Sequence, residues 1–257
     1  MLIHEHLEII SRETIAKDTV QMTFRGKMAQ ENILPGQFLH LLVGEGSNHM
    51  LRRPISIAGV DKQESTITII FKLLGEGTNT LAKAEPGDQL DALGPCGQGY
   101  PVDELQIEHA LLVGGGIGVP PLYYLAQRLR ETGIQVTMVA GFQNKEQVFY
   151  EAEFRKLGNF YLATDDGSAG EQGFVTDIIK KEAFTFDQFF TCGPTGMLKA
   201  VSTQLEEEEG YISIEQRMGC GIGACFACVV PAPDSESGYK KICKDGPVFR
   251  AKEVVLA

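Results

Sequence analysis

Positive charge is scarce in this 257-residue chain: 23 lysines and arginines stand against 34 aspartates and glutamates, for a formal net charge of −11. Such a surface repels phosphate backbones and excludes nucleic-acid binding as a leading function. No hydrophobic run approaches the roughly 20 residues of a membrane span. The start, Met1 to Glu8, has neither the basic stretch nor the apolar core of a secretory signal. A soluble, cytoplasmic protein is the expectation. The five histidines, His4, His6, His40, His49 and His109, show no metal-ligand spacing, and no Ser/His/Asp order has supporting context; each reads as structural or exposed. Internal repeats and low-complexity segments are also missing. The one acidic run, Glu206 to Glu209, reads as the solvated end of a helix rather than a binding tail.

What is present starts with cysteine. Cys220, Cys225, Cys228 and Cys243 follow the C-x4-C-x2-C…C order of a plant-type [2Fe-2S] site, in which four thiolates hold two irons. Gly219, Gly221 and Gly223, with Ala224 and Ala227, leave the loop free of bulk, so backbone N–H groups can turn toward cluster sulfurs. Structural zinc is the competing reading, but four-cysteine zinc sites usually show two C-x2-C pairs and only Cys225/Cys228 has that spacing here. Disulfides rank lower, because nothing at the N-terminus resembles a secretory signal.

The composition, 43% hydrophobic, supports well-packed cores in one large or two ordinary domains. The scattered methionines and phenylalanines are most simply core. Residues 1–100 read as β-rich: 19–24, 37–43 and 65–72 have strand chemistry and are separated by glycine and proline turns, which suggests a small barrel. From Ala110 the pattern becomes an apolar strand, a glycine turn, a helix from about Pro120 to Thr132 and a strand over 135–140. Strands alternating with helices indicate a parallel sheet. The sheet is expected to close with a strand over 187–191 and a helix from Thr195 to Glu209. The remainder, 210–257, is too small to fold without its metal. The fold class is therefore β plus α/β in three parts: a barrel over 1–100, an α/β unit over 101–209 and a cluster segment over 210–257.

Arg53-Pro54-Ile55-Ser56 lies between two strand candidates. From an extended segment an arginine can pair with a pyrophosphate while a serine a few residues on reaches an isoalloxazine edge. An ordinary basic turn before a buried strand would look the same. The second element is Gly75 to Leu81, a small-residue turn opening a helix. Its N–H groups make an anion site, with Gly77 in the turn and Thr78 as cap and phosphate donor.

Leu111 to Pro121 runs from a buried strand into a glycine turn and a proline-started helix. It departs from G-x-G-x-x-G, since Val119 stands at the last glycine position. Gly116 and Gly118 can admit a pyrophosphate to the helix N-terminus, and Pro120 fixes the first turn; close packing alone would also call for glycines. Cys192-Gly193-Pro194 ends a sheet strand, where open α/β folds place ligands. The paired acids Asp165 and Asp166 favour ribose hydroxyls over a 2′-phosphate, hence NAD over NADP.

Arg-x-x-Ser, Gly-Thr, Gly-Pro-x-Gly, Gly-Gly-Gly-x-Gly-x-Pro and Cys-Gly-Pro, in this order, resemble the ferredoxin-reductase superfamily of FAD and NAD(P) enzymes. With the C-terminal cysteine loop added, essentially the whole chain is similar to the electron-transfer subunits of type B dihydroorotate dehydrogenases. The resemblance implies FAD on Arg53, Pro54, Ile55, Ser56, Ile70, Phe71, Lys72, Gly77 and Thr78. It implies NAD on Gly114, Gly116, Gly118, Pro120, Asp165, Cys192, Gly193 and Pro194, with the Cys192 thiol near nicotinamide and flavin. It further implies a separate FMN-containing catalytic subunit, a heterotetramer of two of each chain, and electron flow from dihydroorotate through the cluster and FAD to NAD+, with no pyrimidine site on this chain. Ile55 stands where the superfamily commonly has tyrosine, and Cys96, in Gly-Pro-Cys-Gly, where it usually has an apolar residue; Cys96 reads as packing. The nearest rival is the small subunit of an NADH-dependent ferredoxin:NADP+ reductase or sulfide dehydrogenase. A rival of another class is a zinc-bound, non-enzymatic scaffold.

Overall fold

In Thr66–Lys72 the odd-numbered Ile67, Ile69 and Phe71 are all buried in one apolar cluster, as a strand with one face on a core requires. The computed structural model, which describes residues 2–44 and 50–256, builds this strand into a closed barrel. The strands are β1 (Ile3–Ala16), β2 (Thr19–Arg25), β3 (Phe38–Leu41), β4 (Arg53–Asp61), β5 (Thr66–Lys72) and β6 (Gln89–Cys96), in spatial order β1-β2-β5-β4-β3-β6 with β6 returning to β1. All six pairings are antiparallel, so the barrel has no open edge. Its interior is filled by Leu7, Met22, Phe24, Leu39, Leu41, Ile57 and Ala92, all fully buried. Helix α1 (Glu76–Leu81) leaves the rim after β5. His49 lies outside the described residues.

The second unit is a seven-stranded sheet. Its strands are β7 (His109–Gly115), β8 (Gln135–Phe142), β9 (Asn159–Thr164), β10 (Glu171–Gln172), β11 (Gln188–Cys192), β12 (Gly210–Ser213) and, after two further strands, β15 (Val248–Arg250). The order is β10-β9-β8-β7-β11-β12-β15, parallel throughout except for the edge strand β15. Helices α2 (Val119–Glu131), α3 (Glu151–Arg155), α4 (Val175–Glu182) and α5 (Thr195–Gln204) connect the strands. On α2, Leu122, Leu125, Ala126 and Leu129 recur at helical spacing and bury one face on the sheet. From β7 the chain steps outward through β8 to β9 in one direction; it then returns to the other side of β7 for β11 and β12. The gap between the C-terminal ends of β7 and β11 is thus the topological switch point.

Two expectations are corrected here. Helix α5 ends at Gln204, and Leu205 to Glu207 form a turn, so Glu206 to Glu209 lie beyond the helix. A helix C-terminus carries partial negative charge, which disfavours four acids in its last turn. The sheet also does not close at β11: β12 and β15 extend it. The cluster segment, with hairpin β13 (Val229–Pro231) and β14 (Tyr239–Lys241) and the turn α6 (Ile242–Asp245), packs Cys228, Val230, Ile242, Cys243 and Phe249 into the same apolar cluster as Leu111, Val113 and Phe189 of the sheet. Burying a side chain such as Phe249 contributes roughly 1.5–3 kcal/mol, so this segment shares the core of its neighbour instead of relying on a metal alone. No helix among the described residues is long and apolar enough to cross a membrane.

Candidate functional site: a flavin cleft and a cysteine loop

The two arginines of the Arg-Arg-Pro segment do different work. Arg52 is structural: it donates to the carbonyls of His40 and Asp91 at 3.2 and 3.1 Å and pairs with the Asp91 carboxylate at 2.8 Å. Arg53 extends over α1, bonds the Leu51 carbonyl, and occupies the space above Gly77; a Cβ on Gly77 would lie 2.1 Å from the Arg53 Nε. Arg53 and Gly77 therefore form one unit, a guanidinium laid over the first turn of α1. Thr78 is the third residue of that helix rather than its cap. Its hydroxyl accepts from Leu74 N at 3.0 Å and Gly75 N at 3.3 Å and donates to the Gly75 carbonyl. That hydroxyl shapes the turn and its bonds are already made.

Ser56, three residues from Arg53 and so on the other face of a regular strand, turns toward the C-terminal segment. Its Oγ donates to Glu215 Oε1 at 3.3 Å. Pro54 and Ile55 are half-buried in β4, with Ile55 packed on the barrel core. In β5 Phe71 points into the barrel, Ile70 packs against the sheet core, and Lys72 donates to Gln147 at 3.1 Å. Ile70 and Phe71 thus leave only their main chain for a ligand, while Lys72 keeps a half-exposed side chain.

Glu215 had no motif around it and was missed in the sequence. It stands two residues beyond β12 and is exposed at the surface, with enough protein packed around it to desolvate the carboxyl. That desolvation, partly offset by the Ser56 hydroxyl, pushes its carboxyl up to about 7. Cys192, at the end of β11, is fully buried; burial first, and then the Glu215 charge, holds its thiol well above the usual range. Ser213 and the fully buried Tyr100, whose hydroxyl has no partner of normal geometry among the described residues, complete the group. Barrel, sheet and cluster segment thus each contribute to one polar patch at the switch point.

At the neighbouring turn, the glycines separate by role. Gly116 has φ +52 and open space where a Cβ would stand, so it faces the cleft. Gly118 lies under β11: its Cβ would be 2.2 Å from the Cys192 carbonyl oxygen. Gly114 is packed against Met138 and Leu122. Pro120 occupies the first turn of α2. Gly193 is wedged against Met197 and Gly115, and Pro194 starts α5. Asp166 is occupied by Ser168, which bonds it through N and Oγ at 2.9 and 2.6 Å, whereas Asp165 is exposed and its carboxylate has no partner among the described residues. Cys96, buried and raised to about 12 by burial, is packing as expected.

The four loop cysteines come as two pairs. Cys225 N donates to Cys220 Sγ at 3.3 Å and Cys220 N to Cys225 Sγ at 3.5 Å, while Cys228 and Cys243 are both buried in one apolar cluster, their thiols close enough to perturb each other's ionisation. Gly223 N, at φ +83, donates to Cys243 Sγ at 3.1 Å. Among the described residues no three His, Cys, Asp or Glu side chains converge on a single metal position. Two thiol pairs with N–H groups aimed at their sulfurs suit a dinuclear cluster and do not suit one tetrahedral zinc. Burial opposes ionisation of Cys220, but the N–H groups of Ile222, Cys225 and Ala224 and the Cys225 thiol outweigh it and bring it down to about 6. Lys241 clamps the loop by donating to the Gly223 carbonyl at 2.7 Å and lying 4.2 Å above the Phe226 ring.

A flavin barrel, a parallel sheet with a nucleotide turn and a dinuclear cysteine loop define an iron–sulfur flavoprotein reductase. Family models agree: an oxidoreductase FAD-binding domain matches residues 6–100, an oxidoreductase NAD-binding domain 112–203, and the iron-sulfur cluster binding domain of dihydroorotate dehydrogenase B 215–255. The chain is 49% identical, over all of both chains, to the dihydroorotate dehydrogenase B (NAD(+)) electron transfer subunit of Geobacillus sp. (strain WCH70), and 48% identical over the same full extent to that of Bacillus cereus (strain G9842). It belongs to this family of electron transfer subunits. Among solved structures, an NADH-dependent reduced ferredoxin-NADP oxidoreductase superposes with a TM-score of 0.87 at 30% identity, covering 98% of this chain and 90% of that one. The Amycolatopsis cytochrome P450 reductase GcoB, at 21% identity and a TM-score of 0.68 over 80% of this chain and 66% of its own, shares the fold. The chain is thus an oxidoreductase subunit with binding domains for FAD, NAD and a [2Fe-2S] cluster.

Proposed function

We propose that this chain carries electrons from dihydroorotate, oxidised on a separate FMN-containing subunit in pyrimidine biosynthesis, through its cluster and FAD to NAD+. FAD, able to hold one or two electrons, matches a one-electron cluster to a two-electron nicotinamide. The observation that carries the reading is the surface around the paired cysteines. Ile222, Phe226 and Val229 are 48%, 61% and 37% exposed beside the cluster loop, an apolar collar where another redox protein can bring its own centre close. The relatives' names as electron transfer subunits and that collar support a partner subunit; an assembly of two of each chain and a cytoplasmic location, which suits exposed thiolates, are part of the same proposal.

Within this reading the division is 1–100 for FAD, 101–209 for NAD and 210–257 for the cluster, with β12 and β15 joining the last two. Arg53 over Gly77 neutralises the flavin pyrophosphate, and Pro54, Ile55 and the main chain of Ile70, Phe71, Lys72 and Thr78 line the flavin. Ser56 and Glu215 hold a proton at the cleft floor beside the Cys192 thiol. Gly116, the start of α2 at Pro120, Gly193 and Pro194 receive NAD, Gly114 and Gly118 keep that turn close to the sheet, and Asp165 takes the ribose hydroxyls. Cys220, Cys225, Cys228 and Cys243 would hold the cluster, which would supply one-electron transfer there.

The test is anaerobic: the native complex is purified and dihydroorotate-dependent NADH formation is followed with the flavin and cluster absorption. Bleaching by dihydroorotate with NADH appearing is the expected result. Bleaching by NADH but not by dihydroorotate would instead favour the ferredoxin branch, to which the 30%-identical oxidoreductase structure is the pointer.

A further inference from the structure

His40 sits in β3 of the barrel, paired with Pro54 of β4 and Leu93 of β6, and is 1% exposed. Neither ring nitrogen has a hydrogen-bond partner of normal geometry among the described residues. A neutral imidazole must still carry one N–H, and leaving a buried donor unpaired costs about 1–3 kcal/mol. The ring also lies directly on the cysteine loop. A Cβ built on Gly221 would be 2.1 Å from His40 Nδ1 and 2.5 Å from Cε1, and Gly221 itself holds φ +70. The backbone acceptors around the ring are the Arg52 carbonyl and that of Cys220, which shares its peptide bond with Gly221, neither at normal hydrogen-bond geometry. The first is fixed within the barrel; the second belongs to a loop that must close around its cluster.

We propose that His40 is the positioning residue through which the flavin barrel sets the geometry of the iron–sulfur loop: its Nδ1–H donates to the Cys220 carbonyl and its ring seats Gly221. This rests on the cysteine loop holding a cluster and extends that reading to the barrel. The Cys220 carbonyl shares its peptide plane with the Gly221 N–H and adjoins the Cα that carries the Cys220 Sγ, so turning that peptide moves this sulfur relative to the Cys225 N–H that donates to it at 3.3 Å, and such donors stabilise the more negative, reduced cluster. The imidazole is thereby linked to the cluster's potential without touching an iron.

The experiment uses the complete complex and three variants, reading the cluster midpoint potential and its EPR spectrum in a redox titration, with iron and flavin content determined alongside. His40→Asn places an amide N–H near the Nδ1 position and is expected to keep the wild-type potential and spectrum. His40→Gln carries its donor further out, toward the Nε2 position, and His40→Leu has none; both are expected to shift the cluster to more negative potential and alter its spectrum, with the flavin potential unmoved. Should His40→Leu fail to accumulate, the comparison of Asn with Gln decides. Wild-type potential in the Gln variant, or equal shifts in Asn and Gln, overturns the proposal. Loss of iron from wild type and variants alike, with zinc in its place, overturns instead the cluster reading beneath it.

Discussion

Ser56 and Glu215, 159 residues apart, meet at 3.3 Å, and this bond joins the flavin barrel to the segment that carries the cysteines. It places a carboxyl raised to about 7 by burial within a serine's reach of the switch point. The folded state therefore prefers the protonated acid, whereas in the unfolded chain the carboxyl ionises near its ordinary value of 4.5. The stabilisation from the proton is largest at low pH, declines as pH rises through that ordinary value, and is gone above about 7. Glu215→Gln should flatten this dependence. Denaturant unfolding at pH 5 and pH 8 is the check: the wild type loses more stability between the two than the variant. Equal losses would remove Glu215 as the titrating group.

The Arg53 and Gly77 pair makes a second expectation. Arg53→Ala removes a charge-assisted contact of about 1.5–3 kcal/mol, or roughly 10- to 100-fold in FAD affinity. Gly77→Ala should weaken FAD as well, because its new methyl would displace the Arg53 side chain. Flavin release on dilution, followed by fluorescence, measures both. A Gly77→Ala variant with full affinity would separate the two residues.

The iron–sulfur segment was legible in the sequence because the spacing of Cys220, Cys225, Cys228 and Cys243 is a local constraint that needs no tertiary contact to be seen, and the family model over 215–255 agrees with it. The barrel was legible in the alternation of β5, and the switch point in the glycine turn after β7. Glu215, Ser213 and Tyr100 were not, because each stands alone and gains its meaning only when β12 lies beside β11. Short strands such as β12 and β15, four and three residues long, leave too little pattern to be seen. His40 looked like any isolated histidine until Gly221 was found against its ring. In the glycine turn the sequence left ligand approach and close packing as alternatives; in the structure Gly118 is packed and Gly116 has open space beside it.

That division is testable. Gly118→Ala forces a methyl against the Cys192 carbonyl and should cost roughly 1–3 kcal/mol of stability through overpacking. Gly116→Ala meets no atom, so its cost is the positive φ alone, about 1–2 kcal/mol. Thermal unfolding reads the first effect. KM for NADH, measured with an artificial electron acceptor, reads the second: it should rise for Gly116→Ala, the residue that faces the cleft. A larger KM change from Gly118→Ala in protein that remains folded would reverse the assignment.

Replacing Cys228 with serine tests the pairing of the cysteines. Cys228 is fully buried beside Cys243, so a serine there removes one thiolate from one iron and leaves a hydroxyl in an apolar setting. Cluster content, followed as iron and acid-labile sulfide, should fall to a small fraction of wild type. Cys220→Ser, at the half-exposed end of the loop, should keep more of it with an altered spectrum, because solvent reaches that site and oxygen ligation is tolerated. In both variants NADH should still reduce the FAD, since the flavin cleft draws nothing from the loop cysteines, while transfer from the partner should drop by at least about tenfold, as loss of a redox centre lengthens the electron's path. If the loop held structural zinc, the wild type would contain zinc without labile sulfide, and both serine variants would lose fold and flavin together.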